Sequence, residues 1–163
     1  MNTSIVENQT MIAFHGDPKL KAKFLRLARE HEKMDRVAQG AYWKKYSSGE
    51  FRGCAVGCTL ESYRRISGLE ISHSSHALFE TAIGVPAILA HLEDRIFEGL
   101  DSKESKTWPR RFLKSINTGS DLSMICPKLA IWVLSDVEFG VVNFSKKENV
   151  VAAVNGVSRL YKM

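Results

Sequence analysis

Prolines and glycines divide this chain into segments of helical length, and this feature constrains the fold more than any other. Asp17-Pro18 predicts a helix start, because the aspartate accepts hydrogen bonds from free first-turn amides and proline fits the first helical position. Apolar residues then recur every three or four positions, and Gly40 marks an end. The spacing predicts an amphipathic helix from Pro18 to about Ala38.

The same pattern predicts several further helices. The clearest runs from Pro86 to Gly99, with an apolar stripe facing inward and the acids Glu93, Asp94 and Glu98 facing solvent. Other signals predict helices over 59–66, His76 to Ile83, Trp108 to Ile116, Pro127 to Ser135 and Ser145 to Tyr161. The Pro127 helix is apolar almost all round and is therefore expected to be central. The expected core includes Leu89, Leu92, Ile96, Trp132 and Leu134.

These elements predict a mainly α fold in one compact, multi-helix globular domain over 1–163, with 1–13 as a flexible tail. Only residues 137–144 have strand character, so at most a minor β element is expected there. A chain of 163 residues with 44% hydrophobic and 25% charged residues suits one soluble domain. Three cysteines do not form a secreted disulfide framework, and the start lacks signal-peptide character, so a cytoplasmic protein without membrane contact is expected.

Charge is unevenly distributed along the chain, whose formal net charge is +5. Residues 18–45 hold nine bases and three acids, whereas residues 70–101 hold six acids and one arginine. The two segments either form solvated helix faces or, for the first one, contact an anionic partner. In the second case Lys19 and Lys23 are ligand-binding candidates.

A cysteine pair and a histidine pair form the most informative stretch. Cys54 and Cys58 lie in a glycine-flanked segment that is expected to be a loop, and His73 and His76 follow. Four such ligands in two short pairs suit tetrahedral zinc, although the histidine spacing is shorter than in Cys-Cys-His-His fingers. The simplest alternative is a pair of buried cysteines beside ordinary polar histidines, and a redox-active cysteine pair is a further one.

A second interpretation makes Cys58 a nucleophile. A glycine-rich loop leading into a helix lowers a thiol pKa and offers backbone N–H groups to an oxyanion. His76 or His73 would be the base, and Glu80, one helical turn beyond His76, would orient its imidazole. His31 and Asp35 repeat that spacing on the first helix, which predicts either a joint site with His76 and Glu80 or a satisfied core histidine.

Four motifs together resemble an uncharacterised family of small bacterial and phage-encoded proteins. They are the stretches from Phe14 to Pro18, from Gly53 to Cys58, from Glu80 to Pro86 and from Leu92 to Leu100. The resemblance implies an accessory role, acting against or alongside host defence, and it transfers no catalytic residue.

The leading hypothesis is a binding protein that engages a host protein or a small anionic ligand through its basic first helix and the glycine-cysteine segment. The alternatives are a small hydrolase or transferase using Cys58 and His76, and a zinc-stabilised nucleic-acid-binding module. Nucleic acid ranks last, because a charge of +5 without a recognisable module is a weak signal.

Overall fold

The computed structural model describes residues 10–161 of the chain. In this range the chain forms seven α-helices and one two-stranded antiparallel hairpin. The helices are α1 (Pro18–Lys33), α2 (Ala55–Ser67), α3 (Leu78–Ile83), α4 (Ala87–Gly99), α5 (Ser102–Ser115), α6 (Ile125–Ser135) and α7 (Glu148–Leu160), and the strands are β1 (Lys44–Lys45) and β2 (Phe51–Arg52). The predicted mainly α class is therefore confirmed.

Contacts divide the chain into two compact units, one ending at Leu122 and one beginning at Ser123. The first unit contains α1 to α5 and the hairpin, and the second contains α6, α7 and a short 3-10 turn at Val141–Phe144. The single globular domain over 1–163 stays a prediction.

The core of the first unit lies where α2 packs against α1, α4 and α5. Its largest fully buried side chains include four phenylalanines, Phe14, Phe24, Phe79 and Phe97. The chain before α1 is fastened to this unit, because the Ala13 amide donates to the Ser120 carbonyl (2.9 Å) and the Leu122 amide donates to the Met11 carbonyl (2.7 Å). Residues 1–9 of the predicted flexible tail lie outside the described residues.

The first helix begins as predicted but ends earlier. Asp17 caps it by accepting from the Lys19 amide at 2.7 Å, with Pro18 in the first turn. It stops at Lys33 rather than Ala38, because Asp35 takes a left-handed conformation with φ of 52°. The following residues pair with the segment before α2, where the Gly53 amide donates to the Arg36 carbonyl at 2.9 Å.

The limits of α5 and the inward face of α4 differ from the predictions. Asp101 caps α5 by accepting from the Lys103 and Glu104 amides, so the helix starts at Ser102 and Pro109 lies inside it. In α4 the predicted outward residue Glu93 is completely buried, whereas the predicted core residue Ile96 is 36% exposed. The helix contacts α2, α3 and α5, and these neighbours enclose the Glu93 side of α4.

The second unit corrects two further predictions. Residues 137–144 form no strand, because the Asp136 carboxylate accepts from the Glu138 and Phe139 amides and turns the chain there. Trp132 of α6 is 52% exposed, and none of the α6 residues is fully buried, in contrast to the expected central helix. Within its own unit α6 packs on α7 and the 3-10 turn, where the Ser135 and Ser158 hydroxyls lie 2.9 Å apart.

Candidate functional site

The glycine-cysteine stretch forms the start of α2 rather than a loop. Cys54 is the N-cap residue, and its sulfur accepts from the Gly57 amide at 3.4 Å. A Cβ atom at Gly57 would collide with the Tyr42 carbonyl oxygen, and one at Gly53 would press on the same oxygen. The glycines therefore let residue 42 lie directly on the first turn of α2.

Both cysteines of this stretch are enclosed thiols. Cys54 and Cys58 are each 1% exposed, and the Cys58 thiol donates to the carbonyl oxygens of Gly53 (3.4 Å) and Arg36 (3.8 Å). Burial raises the pKa of Cys54 to about 12 and raises the pKa of Cys58 as well. Desolvation therefore outweighs the effect of the helix N-terminus, and both groups are protonated thiols at neutral pH.

The two histidines expected near the cysteines have separate surroundings. His73 donates from Nε2 to Glu61 at 3.0 Å and stacks on Trp43 with ring centroids 4.5 Å apart. His76 instead stacks on His91, with centroids 3.8 Å apart. In the described part of the chain, no group of three His, Cys, Asp or Glu side chains could hold a metal ion. The predicted zinc set of Cys54, Cys58, His73 and His76 is therefore not assembled.

Glu80, the expected partner of His76, has another role. Its Oε1 accepts from the Ala87 amide at 3.0 Å, so it satisfies a free donor in the first turn of α4. Asp94 takes the expected place beside His76, with Oδ2 lying 3.6 Å from Nε2. Asp94 and His91 were not among the predicted site residues, although their spacing of three residues on α4 indicates a shared helix face.

A pair of neighbouring cavities lies beside these residues. One, of about 200 Å³, is lined by Cys54 and the 40–42 segment, and the other, of about 310 Å³, by His91 and Arg95. Both are also lined by Tyr42, Asp94 and Glu98. We call the two together the Asp94 cavity. Tyr42 carried no sequence signal, because only the close approach of its backbone to Gly57 brings it here.

His31 is a core histidine between α1 and α2. The Ser62 hydroxyl donates to the Cys58 carbonyl at 3.0 Å and therefore accepts from Nε2 of His31, also at 3.0 Å. Burial and the charges of Arg65 and Arg36 lower the pKa of His31 to about 4, so the ring is neutral. The contacts of His31 do not include His76 or Glu80, and the predicted joint site is not observed among the described residues.

Asp35 lies on the surface and makes structural ion pairs. It is bound by Arg52 at 3.1 Å and by Lys106 of α5. The Lys106 contact holds the pKa of the Asp35 carboxyl below its usual range. Asp35 therefore fastens the end of α1 to α5 and to β2.

A second basic helix lies beside the first one. Near the start of α1, Lys21 donates to the carbonyls of Lys114 and Ile116 at the C-terminal end of α5. Near the end of α1, Glu32 binds Arg110 of α5 at 2.7 Å. The two helices enclose a cavity of about 370 Å³ lined by Leu25, Arg26, Arg29, Arg110 and Lys114. We call this the basic groove. Lys19 and Lys23 are exposed on the same stripe of α1 as Arg26.

Comparisons of the chain with protein-family models, curated proteins and solved structures find no match in any of the three. In residues 10–161, no helix has both the length and the apolar character needed to cross a membrane.

Proposed function

We propose that this chain is a binding protein that captures an anionic partner in the basic groove. The observation that carries the proposal is the cavity itself, whose lining consists of four cationic side chains and Leu25, without a carboxylate. Guanidinium groups bind phosphate and carboxylate groups with paired hydrogen bonds, so three arginines in one groove suit such a partner.

The cations of this groove are available for a ligand. In the described part of the chain Arg26, Arg29 and Lys114 form no side-chain ion pair, whereas Arg110 is held by Glu32. Lys19 and Lys23 extend the positive stripe toward the start of α1. The groove therefore supports the ligand-binding assignment of these two lysines, with the arginines as the main contacts.

The partner is an acidic protein or a phosphate-bearing ligand. The resemblance to phage-encoded accessory proteins favours a protein of the host as the source of the anionic groups. The groove offers charge without a base-reading element, so nucleic acid ranks below these partners. The buried, protonated Cys58 thiol gives catalysis with His76 no comparable support.

The experiment measures binding of fluorescently labelled inorganic polyphosphate and of a poly-glutamate peptide. The double variant Arg26→Glu, Arg29→Glu should bind at least about tenfold more weakly, because two attractive contacts become repulsive. Binding by the unaltered chain should also weaken steeply between about 50 and 200 mM salt. Polyphosphate binding alone would identify phosphate as the preferred group.

The matched control is Lys128→Glu, Lys146→Glu, which makes the same change of net charge at two exposed positions of the second unit. If the control weakens binding as much as the groove variant, attraction to net charge explains the result and the groove assignment is wrong. Binding that ignores salt would contradict the electrostatic mechanism.

A further inference from the structure

The two helices that form the walls of the basic groove run in opposite directions. Near the start of α1, Lys21 donates to the Lys114 and Ile116 carbonyls at the C-terminal end of α5. Just beyond the end of α1, Asp35 pairs with Lys106 in the first half of α5. The part of α5 between these two contacts contains about ten residues, so the helices lie side by side over about 15 Å.

Cations without a counter-charge repeat along the α1 wall of the groove. Arg26, Arg29 and Lys33 are spaced by three and four residues, so they lie on one stripe of the helix. The steps between them are about 4.5 and 6 Å along the helix axis. All three residues are exposed, and within residues 10–161 none of them forms an ion pair. Lys33 therefore extends this wall past the residues that line the cavity.

The α5 wall carries a matching series of cations. Lys103, Arg110 and Lys114 are spaced by seven and four residues and also share one stripe, with steps of about 10.5 and 6 Å. Lys103 and Lys114 are exposed and form no ion pair in the described part of the chain, whereas Arg110 is held by Glu32. The groove thus has cations on both sides and in series over about 16 Å.

We infer that the basic groove takes an extended run of about six acidic residues in a partner protein, an inference that rests on the proposed function. In an extended peptide, successive side chains point to opposite sides, and those on one side repeat every 6.6 Å or so. This repeat is close to the step of about 6 Å from Arg29 to Lys33 and from Arg110 to Lys114. At about 3.3 Å per residue, six residues cover the length of the α5 wall.

A run of carboxylates uses this surface better than a single anion does. One phosphate or carboxylate group would contact only one or two of the cations. An exposed ion pair contributes little by itself, because water and salt screen it and two side chains lose freedom. In a linked series, each further contact forms within a complex that already exists, so the contributions accumulate.

An acidic helix fits the groove less well than an extended segment. A helix that docks into a groove is held by an apolar stripe on one of its faces. Among the described residues that line this cavity, Leu25 is the only apolar one. The groove therefore offers charge along its length but almost no apolar surface for a helix to cover.

The test measures binding of fluorescently labelled peptides that carry two, four, six or eight consecutive glutamates. Affinity should rise by at least about tenfold from two to six glutamates and by less than about threefold from six to eight. A peptide whose four glutamates are separated by single glycines should bind at least about threefold more weakly than one with four consecutive glutamates. In an extended chain its carboxylates all face one wall of the groove.

The double variant Lys33→Gln, Lys103→Gln tests the length of the site. It removes two cations outside the cavity lining, so it should weaken binding of the six-glutamate peptide by at least about fivefold and leave that of the two-glutamate peptide unchanged. The control Lys128→Gln, Lys146→Gln makes the same change of charge at two exposed positions of the second unit and should leave both affinities unchanged.

Equal affinity for the two-glutamate and six-glutamate peptides would overturn the inference, because the groove would then take a single anionic group. Binding of inorganic polyphosphate without binding of any glutamate peptide would overturn it too, and the proposed function would stand in both cases. Full affinity of Lys33→Gln, Lys103→Gln for the six-glutamate peptide would contradict the assigned length. If neither polyphosphate nor any glutamate peptide binds, the proposed function itself is wrong.

Discussion

Glu93 is a carboxylic acid inside the core of the first unit. It is 0% exposed, and both side-chain oxygens lack a hydrogen-bond partner among the described residues. Burial raises the pKa of its carboxyl group well above the ordinary value of 4.5, and the charge of Asp94 raises it further. The folded chain therefore keeps Glu93 protonated at pH values where the unfolded chain has released the proton.

We predict that Glu93→Gln makes the stability of the first unit less dependent on pH. The folded-state pKa of Glu93 is raised, so its contribution is fully present below about pH 4.5 and is lost as pH rises toward the folded-state pKa. Across that window the unfolding free energy should fall by up to about 1.4 kcal/mol per pH unit in the unaltered chain, relative to Glu93→Gln. Urea unfolding at a series of pH values measures this difference.

The exposed residue Glu50 provides the control for this experiment. Glu50→Gln removes an exposed carboxylate instead of a buried one. The unfolding free energy of this variant should depend on pH in the same way as that of the unaltered chain. Parallel profiles for Glu93→Gln and the unaltered chain would show that Glu93 ionises as easily in the folded chain as in the unfolded one.

For single residues, the sequence indicated which side chains could carry chemistry, but not which residues they contact in the fold. It predicted a site at Cys54, Cys58 and His76, which stays a prediction, and the 1% exposure of both cysteines agrees with the simpler interpretation of buried thiols. Whether a thiol is a nucleophile depends on desolvation and on nearby carbonyls, and both come from residues distant in sequence. Asp94 was predicted to face solvent because the predicted inward face of α4 is rotated about the helix axis relative to the observed one.

Two helical glycines, Gly57 in α2 and Gly156 in α7, allow a matched test of the first turn of α2. Alanine is normally favoured over glycine inside a helix by up to about 1 kcal/mol. At Gly57, however, a Cβ atom would collide with the Tyr42 carbonyl oxygen, whereas at Gly156 no atom lies within 4 Å of it. We predict that Gly57→Ala destabilises the first unit by about 1 to 3 kcal/mol and that Gly156→Ala stabilises the second.

Thermal unfolding followed by circular dichroism measures both changes. Gly57→Ala should also alter the tyrosine fluorescence, because the segment carrying Tyr42 has to move. Equal stabilisation by the two substitutions would show that the backbone of Tyr42 does not contact the first turn of α2. Destabilisation by both substitutions would show that another residue packs directly against Gly156 of α7.

Elements with local start signals were the most predictable ones. The starts of α1 and α4 follow from prolines and caps within a few residues, and α4 ends at Gly99 as predicted. The start of α5 was placed too late because Pro109 was taken as a helix start, although Asp101 is the cap. The segment 137–144 was assigned from β propensity, which the side chain of Asp136 overrides.

For the whole molecule, the sequence predicted the fold class and the basic character of α1, which forms one side of the basic groove. The charge of α1 was visible as one run, but its extension by α5 depends on the packing of two helices about 80 residues apart. The acidic stretch from 70 to 101 was read as solvated, yet its members differ: Glu93 is buried, Glu80 caps α4, and Asp94 with Glu98 lines a cavity.

We predict that a chain ending at Leu122 folds without the second unit. The largest fully buried side chains all precede residue 123, and residues 11–13 pair with residues 120–122 across the two ends of the first unit. This fragment should show a helical spectrum and a cooperative urea transition, and it should bind polyphosphate within about twofold of the full chain, because α1 and α5 are both present.

A chain ending at Ser115 is the control for this truncation. It keeps all of α5 but removes the residues that pair with 11–13 and the Ile116 carbonyl that binds Lys21. Its urea midpoint should therefore lie below that of the fragment ending at Leu122, because buried or half-buried amides and carbonyls lose their partners. A fragment ending at Leu122 without a cooperative transition, or one no more stable than the shorter chain, would show that the first unit is not complete at Leu122.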